Sequence, residues 1–201
     1  MTPRIVDKKK KKLEILRGAL KVFARRGIHD FRMIQVAEAA GVGKGTLYEY
    51  FPSKEDLVIG SFELILEDFE AHLEKRVAHL SEPVQQVREY FFAGFEFFVL
   101  QKRRLDVLFD FYAAGLPRKD GRPLVQNMVE NYRLAVDYLA GIIQRGIDNG
   151  DFRPVNVTVA ASTLLAMLDG LLFQSALGMT AIGERKLPEK ICDIYMGGLL
   201  K

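Results

Sequence analysis

Residues 41–57 read GVGKGTLYEYFPSKEDL, and this stretch constrains the fold more than any other. Its glycines and lysine fit two incompatible settings. A phosphate-cradling loop follows a strand, whereas a helix-turn-helix joint follows a helix. The Walker A pattern fails on both sides: Gly43-Lys44 is followed by Gly45, and the position five before Gly43 is Glu38. The dinucleotide fingerprint fails at Thr46, where glycine or alanine is required. The segment before the turn, IQVAEAA at 34–40, reads as a short helix of small residues, not a strand. A chain built this way must join two helices through Gly41.

Local chemistry supports that joint. Val36, Ala37 and Ala40 are small enough to let a second helix cross closely. Gly41 permits a left-handed turn conformation. Val42 and Leu47 bury the joint, and Thr46 to Phe51 form the following helix until Pro52 ends it. That helix offers Lys44, Gly45, Thr46, Tyr48, Glu49 and Tyr50 to a groove. Ser53-Lys54-Glu55-Asp56 then starts a new helix, with Ser53 as cap and the acids complementing the dipole.

Helical spacing continues to both sides. Leu13, Leu16, Leu20 and Phe23 lie on one face before the joint, with Gly27 as the stop. Leu57, Phe62, Ile65, Leu66, Phe69, Leu73, Val77 and Leu80 extend one face after it. A helix from Pro83 carries Tyr90, Phe91, Phe92, Phe95, Phe97 and Phe98 around its whole circumference, which predicts a central position. Further helices are predicted over 103–112, 123–149, 157–177 and 188–200, with a loop over 114–123. Strand alternation is absent over any useful length. The fold class is therefore all-α with about nine helices: a tail and three-helix head at 1–52, and a larger helical body at 53–201.

Charge divides the chain in the same way. Residues 1–56 hold 13 Lys/Arg and 7 Asp/Glu, a net +6, and the remainder is net −3. A basic head on a mildly acidic body suits a polyanion partner. The run Lys8–Lys12 reads either as a solvated tail, since like-charge blocks are usually disordered alone, or as a tracker of phosphates. Attachment to an anionic membrane surface through it is a third reading. With Cys192 as the one cysteine, no intrachain disulfide is possible. The N-terminus lacks the apolar region of a secretory signal, so a cytoplasmic location is expected.

The run Val36 to Leu57, with its small residues, turn glycine, aromatic cluster and Ser-Lys-Glu continuation in order, resembles the DNA-binding domain of TetR-type transcriptional regulators. The close match covers about residues 13–60. Residues 146–152 and 168–172 resemble that family's C-terminal body less specifically. The resemblance implies a homodimeric, all-helical repressor with two DNA heads on a pseudo-palindromic operator. It implies that Tyr48 and Lys54 contact phosphates with Thr46 beside them, and that Lys44, Gly45 and Tyr50 face bases or backbone. Two positions depart from the pattern. Phe31-Arg32 stands where a Thr or Ser usually caps the second helix, and Arg32 is assigned a phosphate contact by charge instead. Gly43 stands where a polar residue is usual.

The aromatic set Phe91, Phe95, Phe98, Phe109, Tyr112, Tyr132 and Phe173 is most simply core by its spacing. The resemblance makes part of it the wall of a cavity for a small apolar or aromatic effector. Glu96, Asp110 and Gln174 lie among apolar neighbours, to orient such a ligand or to reach solvent. Residues 157–177 are nearly apolar, but Asp169 and Gln174 argue against a membrane span. The better reading is a dimer interface shared with the last helix, where Ala160, Ala161, Ala166 and Gly170 allow close approach. His72 and His79 are too far apart in sequence for a simple chelating pair, so no metal site is expected. No catalytic constellation or cofactor motif is defensible. The alternative of a helical carrier or enzyme for an apolar molecule lacks its chemistry.

Overall fold

The computed structural model describes residues 7–99, 102–115, 123–179 and 186–201. The described residues form nine helices and no strand: α1 Lys8–Arg26, α2 Met33–Ala40, α3 Lys44–Tyr50, α4 Lys54–Val77, α5 Pro83–Val99, α6 Lys102–Gly115, α7 Pro123–Asn149, α8 Val157–Ala176 and α9 Lys186–Leu199. The all-α class is as expected. Most of the predicted loop at 114–123 lies outside the described residues.

The N-terminus narrows the readings open for Lys8–Lys12. Lys8–Lys12 is not a disordered tail but the first turn of α1. Asp7 makes this possible: its Oδ1 accepts from the amides of Lys9 at 3.0 Å and Lys10 at 3.2 Å. A side-chain cap there satisfies two of the four free helix amides. Two other helix starts follow the same logic. Ser53 and Asp56 cap reciprocally, with Asp56 N–H to Ser53 Oγ at 3.0 Å and Ser53 N–H to Asp56 Oδ2 at 3.1 Å. Asn156 accepts from the Val159 amide at 3.1 Å.

The chain divides into two compact units. The first comprises Met1–Glu67 together with Asp106–Leu124. Its core is aromatic. Phe23 meets Phe31 at 4.8 Å and Phe111 at 6.3 Å, and Phe111 meets Phe62 at 5.2 Å, all edge-on. Each such pair adds about 0.5–1.5 kcal/mol beyond area burial. Asp110, an orienting candidate, accepts from the Ile28 amide at 3.3 Å just past the end of α1. Gly18 sets the α1–α2 crossing, because a Cβ there would lie 2.9 Å from Ala40 Cβ and 3.0 Å from its backbone nitrogen.

The second unit comprises Asp68–Leu105 and Val125–Lys201. The predicted central helix is α5, which buries Tyr90, Phe91, Phe95, Phe97 and Phe98. The Phe69 ring of α4 lies 5.2 Å from Phe97 and 5.3 Å from Phe98. Gly94 lets α8 approach, since a Cβ there would lie 2.7 Å from Leu168 Cδ2. Arg88 pairs with Asp193 of α9 at 2.6 Å, and Arg145 of α7 donates to buried Gln86 at 2.8 Å. Arg76 takes both Glu89 and Glu96, the latter at 2.9 Å, so Glu96 is a structural partner. At the C-terminus, Arg153 N–H donates to Leu199 O at 2.9 Å and Phe152 seats its ring against Gly146.

Among the described residues, α8 is the one helix long and apolar enough to cross a membrane. Its Leu164, Leu165, Leu168, Leu171 and Leu172 are buried within the protein. Its other side is exposed: Val159, Ala166, Phe173 and Leu177 follow one another at helical spacing. A Cβ on Gly170 would meet nothing within 4 Å. On α9, Ile194 is 77% exposed.

Candidate nucleic-acid interface

The joint between α2 and α3 is built from backbone first. Gly41 has φ 66° and ψ 34°, the left-handed region that costs a side-chain-bearing residue most. Its conformation turns the Val42 amide back onto Ala37 O at 2.9 Å, closing α2 with a Schellman bond. Val36, Ala37, Leu47 and Phe51 are buried, which holds the two short helices as one body. α2 lacks a hydroxyl cap, as the sequence implied at Arg32. Gln35 Oε1 compensates by accepting from the Arg32 amide at 2.9 Å, half of a capping box.

α3 then has two distinct sides. Leu47 faces the core, while Lys44, Gly45, Tyr48 and Glu49 are exposed and Thr46 and Tyr50 are half-buried. Tyr48 is 40% exposed, so its ring is not spent on the core. The Lys44 ammonium lies 5.9 Å from the Tyr48 ring centre. Around Gly45 a Cβ would meet nothing within 4 Å, so the first turn of α3 is open to close approach.

Lys54 starts α4 and reaches back to the segment before α2. Its Nζ donates to Phe31 O at 2.7 Å and sits 4.9 Å from the Phe31 ring centre. One of its three donors is used there, which fixes the charge in place and leaves two for another oxygen. Arg32 is exposed next to Phe31. All seven predicted DNA residues thus belong to the first compact unit.

Gly43 caps α3 in extended geometry, φ −68°, without a side-chain bond. A Cβ there would come no closer than 4.0 Å, to Thr46 Oγ1. Gly43→Ser is therefore expected to stabilise the protein by about 0.5–1 kcal/mol, by adding a cap and reducing unfolded-chain freedom. A rise in urea midpoint at unchanged slope would show it, and an unchanged or lower midpoint would refute it.

The predicted effector residues are divided between the two units. Phe91, Phe95 and Phe98 are buried in the second unit, whereas Phe109 and Tyr112, 6.0 Å apart, belong to the first. Tyr132 and Phe173 lie at the surface, 40% and 53% exposed, and Gln174 is exposed with Phe173. The core reading fails for these two rings because both remain substantially in solvent. The sequence reasoning missed a polar grouping between α5, α7 and α8. The Tyr132 hydroxyl donates to Asp169, and the Tyr90 and Tyr138 rings are 6.0 Å apart. Burial pushes the Asp169 carboxyl up to about 6. Burial, with Tyr138 and Asp169 nearby, also raises the Tyr90 hydroxyl well above its usual range. Residues 132, 138 and 169 had a signal: polar atoms interrupting apolar helices.

Comparison with known proteins decides what this head belongs to. Residues 15–60 match the family model for bacterial regulatory proteins of the tetR family, and residues 83–200 match that for the BetI-type transcriptional repressor C-terminal domain. The chain belongs to the TetR family. It is a DNA-binding transcriptional regulator, and the family's members are regulators, not enzymes. The uncharacterized HTH-type transcriptional regulator YfiR of Bacillus subtilis is 29% identical over 88% of this chain and 86% of its own. The fatty acid metabolism regulator protein of Bacillus subtilis and RutR of Escherichia coli match in a short segment only, 39% and 52% identical, where the chain covers 29% and 26% of their length. A putative transcriptional regulator from Saccharomonospora viridis, solved with choline, superposes with TM-score 0.79 at 18% identity over 96% of this chain and 99% of that one. AibR, solved with isovaleryl coenzyme A and operator DNA, gives 0.68 at 22% identity over 94% and 98%. TetR-family regulators bind operator DNA as dimers and respond to small molecules.

Proposed function

We propose that this protein is a homodimeric, cytoplasmic repressor that leaves a pseudo-palindromic operator when a small molecule binds its second unit. One observation carries the reading: α3 buries Leu47 while presenting Lys44, Gly45 and Tyr48 outward. In this reading Tyr48, Lys54 and Arg32 contact phosphates, and Lys44, Gly45, Thr46 and Tyr50 face the groove. Two heads on one duplex would reach successive major grooves about 34–36 Å apart. The exposed stripe of Val159, Ala166, Phe173 and Leu177 on α8, with Ile194 on α9, supports pairing through the last two helices. An apolar face of that kind is otherwise costly to leave in water.

The effector reading starts from the aromatic rings of α5, which favour an apolar or aromatic molecule. The Tyr90, Tyr132, Tyr138 and Asp169 grouping favours a second class, an organic cation, because ring faces and a carboxylate attract positive charge. The choline bound by the Saccharomonospora viridis regulator belongs to that class. The experiment is fluorescence polarisation on duplexes spanning the promoter of the protein's own gene, titrated separately with choline and with a medium-chain acyl coenzyme A. Release by either assigns the class. Promoter duplexes bound no better than scrambled ones would sink the repressor reading. Phe173→Asp with Ile194→Lys is expected to yield monomers by sedimentation, and an intact dimer would reject the interface.

A further inference from the structure

The N-terminal turn of α1 places charge where a helix least tolerates it. Five consecutive lysines occupy the start of α1, and its first turn holds no acidic residue. Cations at a helix N-terminus oppose the macrodipole. The turn also gains little from burial: Lys8, Lys9, Lys10 and Lys12 are exposed, and the core positions of α1 begin at Ile15. Of these five lysines, only Lys11 has an ion pair among the described residues, with Glu14 at 2.6 Å. The turn is held by the Asp7 cap and the Lys11–Glu14 pair, and the ammonium groups of its other lysines carry no ion pair among the described residues.

Its orientation identifies the partner. At 100° per residue, Lys8 and Lys12 lie on the same stripe as Ile15, Leu16 and Ala19, which pack into the head. The stripe therefore continues past the packed region on the side where the recognition helix ends. Lys12 fixes this directly, with its ammonium 5.9 Å from the centre of the Phe51 ring, immediately after α3. Lys54, three residues further on, is held at the Phe31 carbonyl in the same compact unit. Lys8 and Lys12 are separated by about 6 Å along the helix. That covers about two steps of one strand at about 3.4 Å rise each, so the two lysines can reach different phosphates.

We infer that the lysine turn of α1 is a second phosphate-contacting element, in which Lys8 and Lys12 engage two backbone phosphates beside those met through α3 and Lys54. The inference rests on the DNA-binding reading above. The contact carries no base information. It adds affinity and salt dependence to every sequence equally, and lets the head hold non-cognate DNA during search.

The test compares wild-type protein with K8Q/K12Q and K9Q/K10Q, using a labelled mixed-sequence duplex over a range of salt concentrations. Glutamine keeps helix propensity, and circular dichroism checks that α1 survives. The expected result is that K8Q/K12Q lowers the log–log salt slope by about 1.8 for each head engaged, at about 0.9 per phosphate. K9Q/K10Q should lower it by less than half as much. Equal effects of the two pairs, or an unchanged slope in K8Q/K12Q while wild type binds normally, would overturn this inference and leave the DNA reading standing. Wild-type protein that binds no duplex would overturn both. Binding to phosphatidylglycerol vesicles that K8Q/K12Q abolishes, with the DNA slope unchanged, would assign the turn to a membrane surface instead.

Discussion

Replacing Phe111 by alanine is expected to cost about 3–5 kcal/mol, and to appear first as loss of DNA binding. Phe111 is fully buried in the first compact unit, edge-on to Phe23 at 6.3 Å and to Phe62 at 5.2 Å. Truncation removes both ring contacts and leaves a cavity that rigid helices fill only in part. A loss of that size is a large share of a typical domain's total stability. The neighbouring Asp110 holds the Ile28 amide, so α6 also ties down the chain between α1 and α2. Phe111→Leu keeps more of the volume but loses both ring pairs, at about 0.5–1.5 kcal/mol each, so it should cost less than alanine while remaining destabilising. Urea unfolding followed by far-ultraviolet dichroism, with duplex affinity measured in parallel, provides the check. A Phe111→Ala protein that keeps wild-type midpoint and affinity would mean that α6 does not support the head.

Tyr48 and Lys54 should separate into two kinds of loss if both contact phosphates. Tyr48→Phe removes one hydroxyl from a ring that is 40% exposed, so the fold should be untouched. A net hydrogen bond of about 1 kcal/mol lost in each head weakens a two-headed complex about 30-fold. The salt slope should not move, because no charge is removed. Lys54→Gln should instead lower the slope by about 0.9 per head. It also breaks the 2.7 Å bond to Phe31 O, so part of its effect will appear as reduced stability. Affinity measured at several salt concentrations distinguishes the two. A Tyr48→Phe slope change, or a Lys54→Gln slope equal to wild type, would contradict these roles.

The head was legible because its determinants are local. The Gly41 turn, the Pro52 stop and the Ser53 cap act within a few residues of themselves, so their order in the chain fixes their order in space. Leu47 and Phe51 could be assigned to the core by spacing alone, and both are buried. For the lysine turn, like-charge composition leaves a tail open, while one aspartate, Asp7, makes it helical by capping two amides.

Tertiary structure decided everything that depends on distant partners. α6 looked like one more body helix, yet Phe111 completes the aromatic core around Phe23 and Phe62. Phe173 and Phe91 both lie at helical spacing among apolar residues, but one is exposed and the other buried. The same limit hid Asp169, whose hydroxyl partner Tyr132 sits on another helix. By itself the sequence determined the helices, their caps and the two-sided recognition helix, since these arise from interactions within about one helical turn. Which face of each remaining helix meets protein, and which is left to a ligand or a second copy, depends on packing between helices far apart in the chain, and only the tertiary structure holds that information.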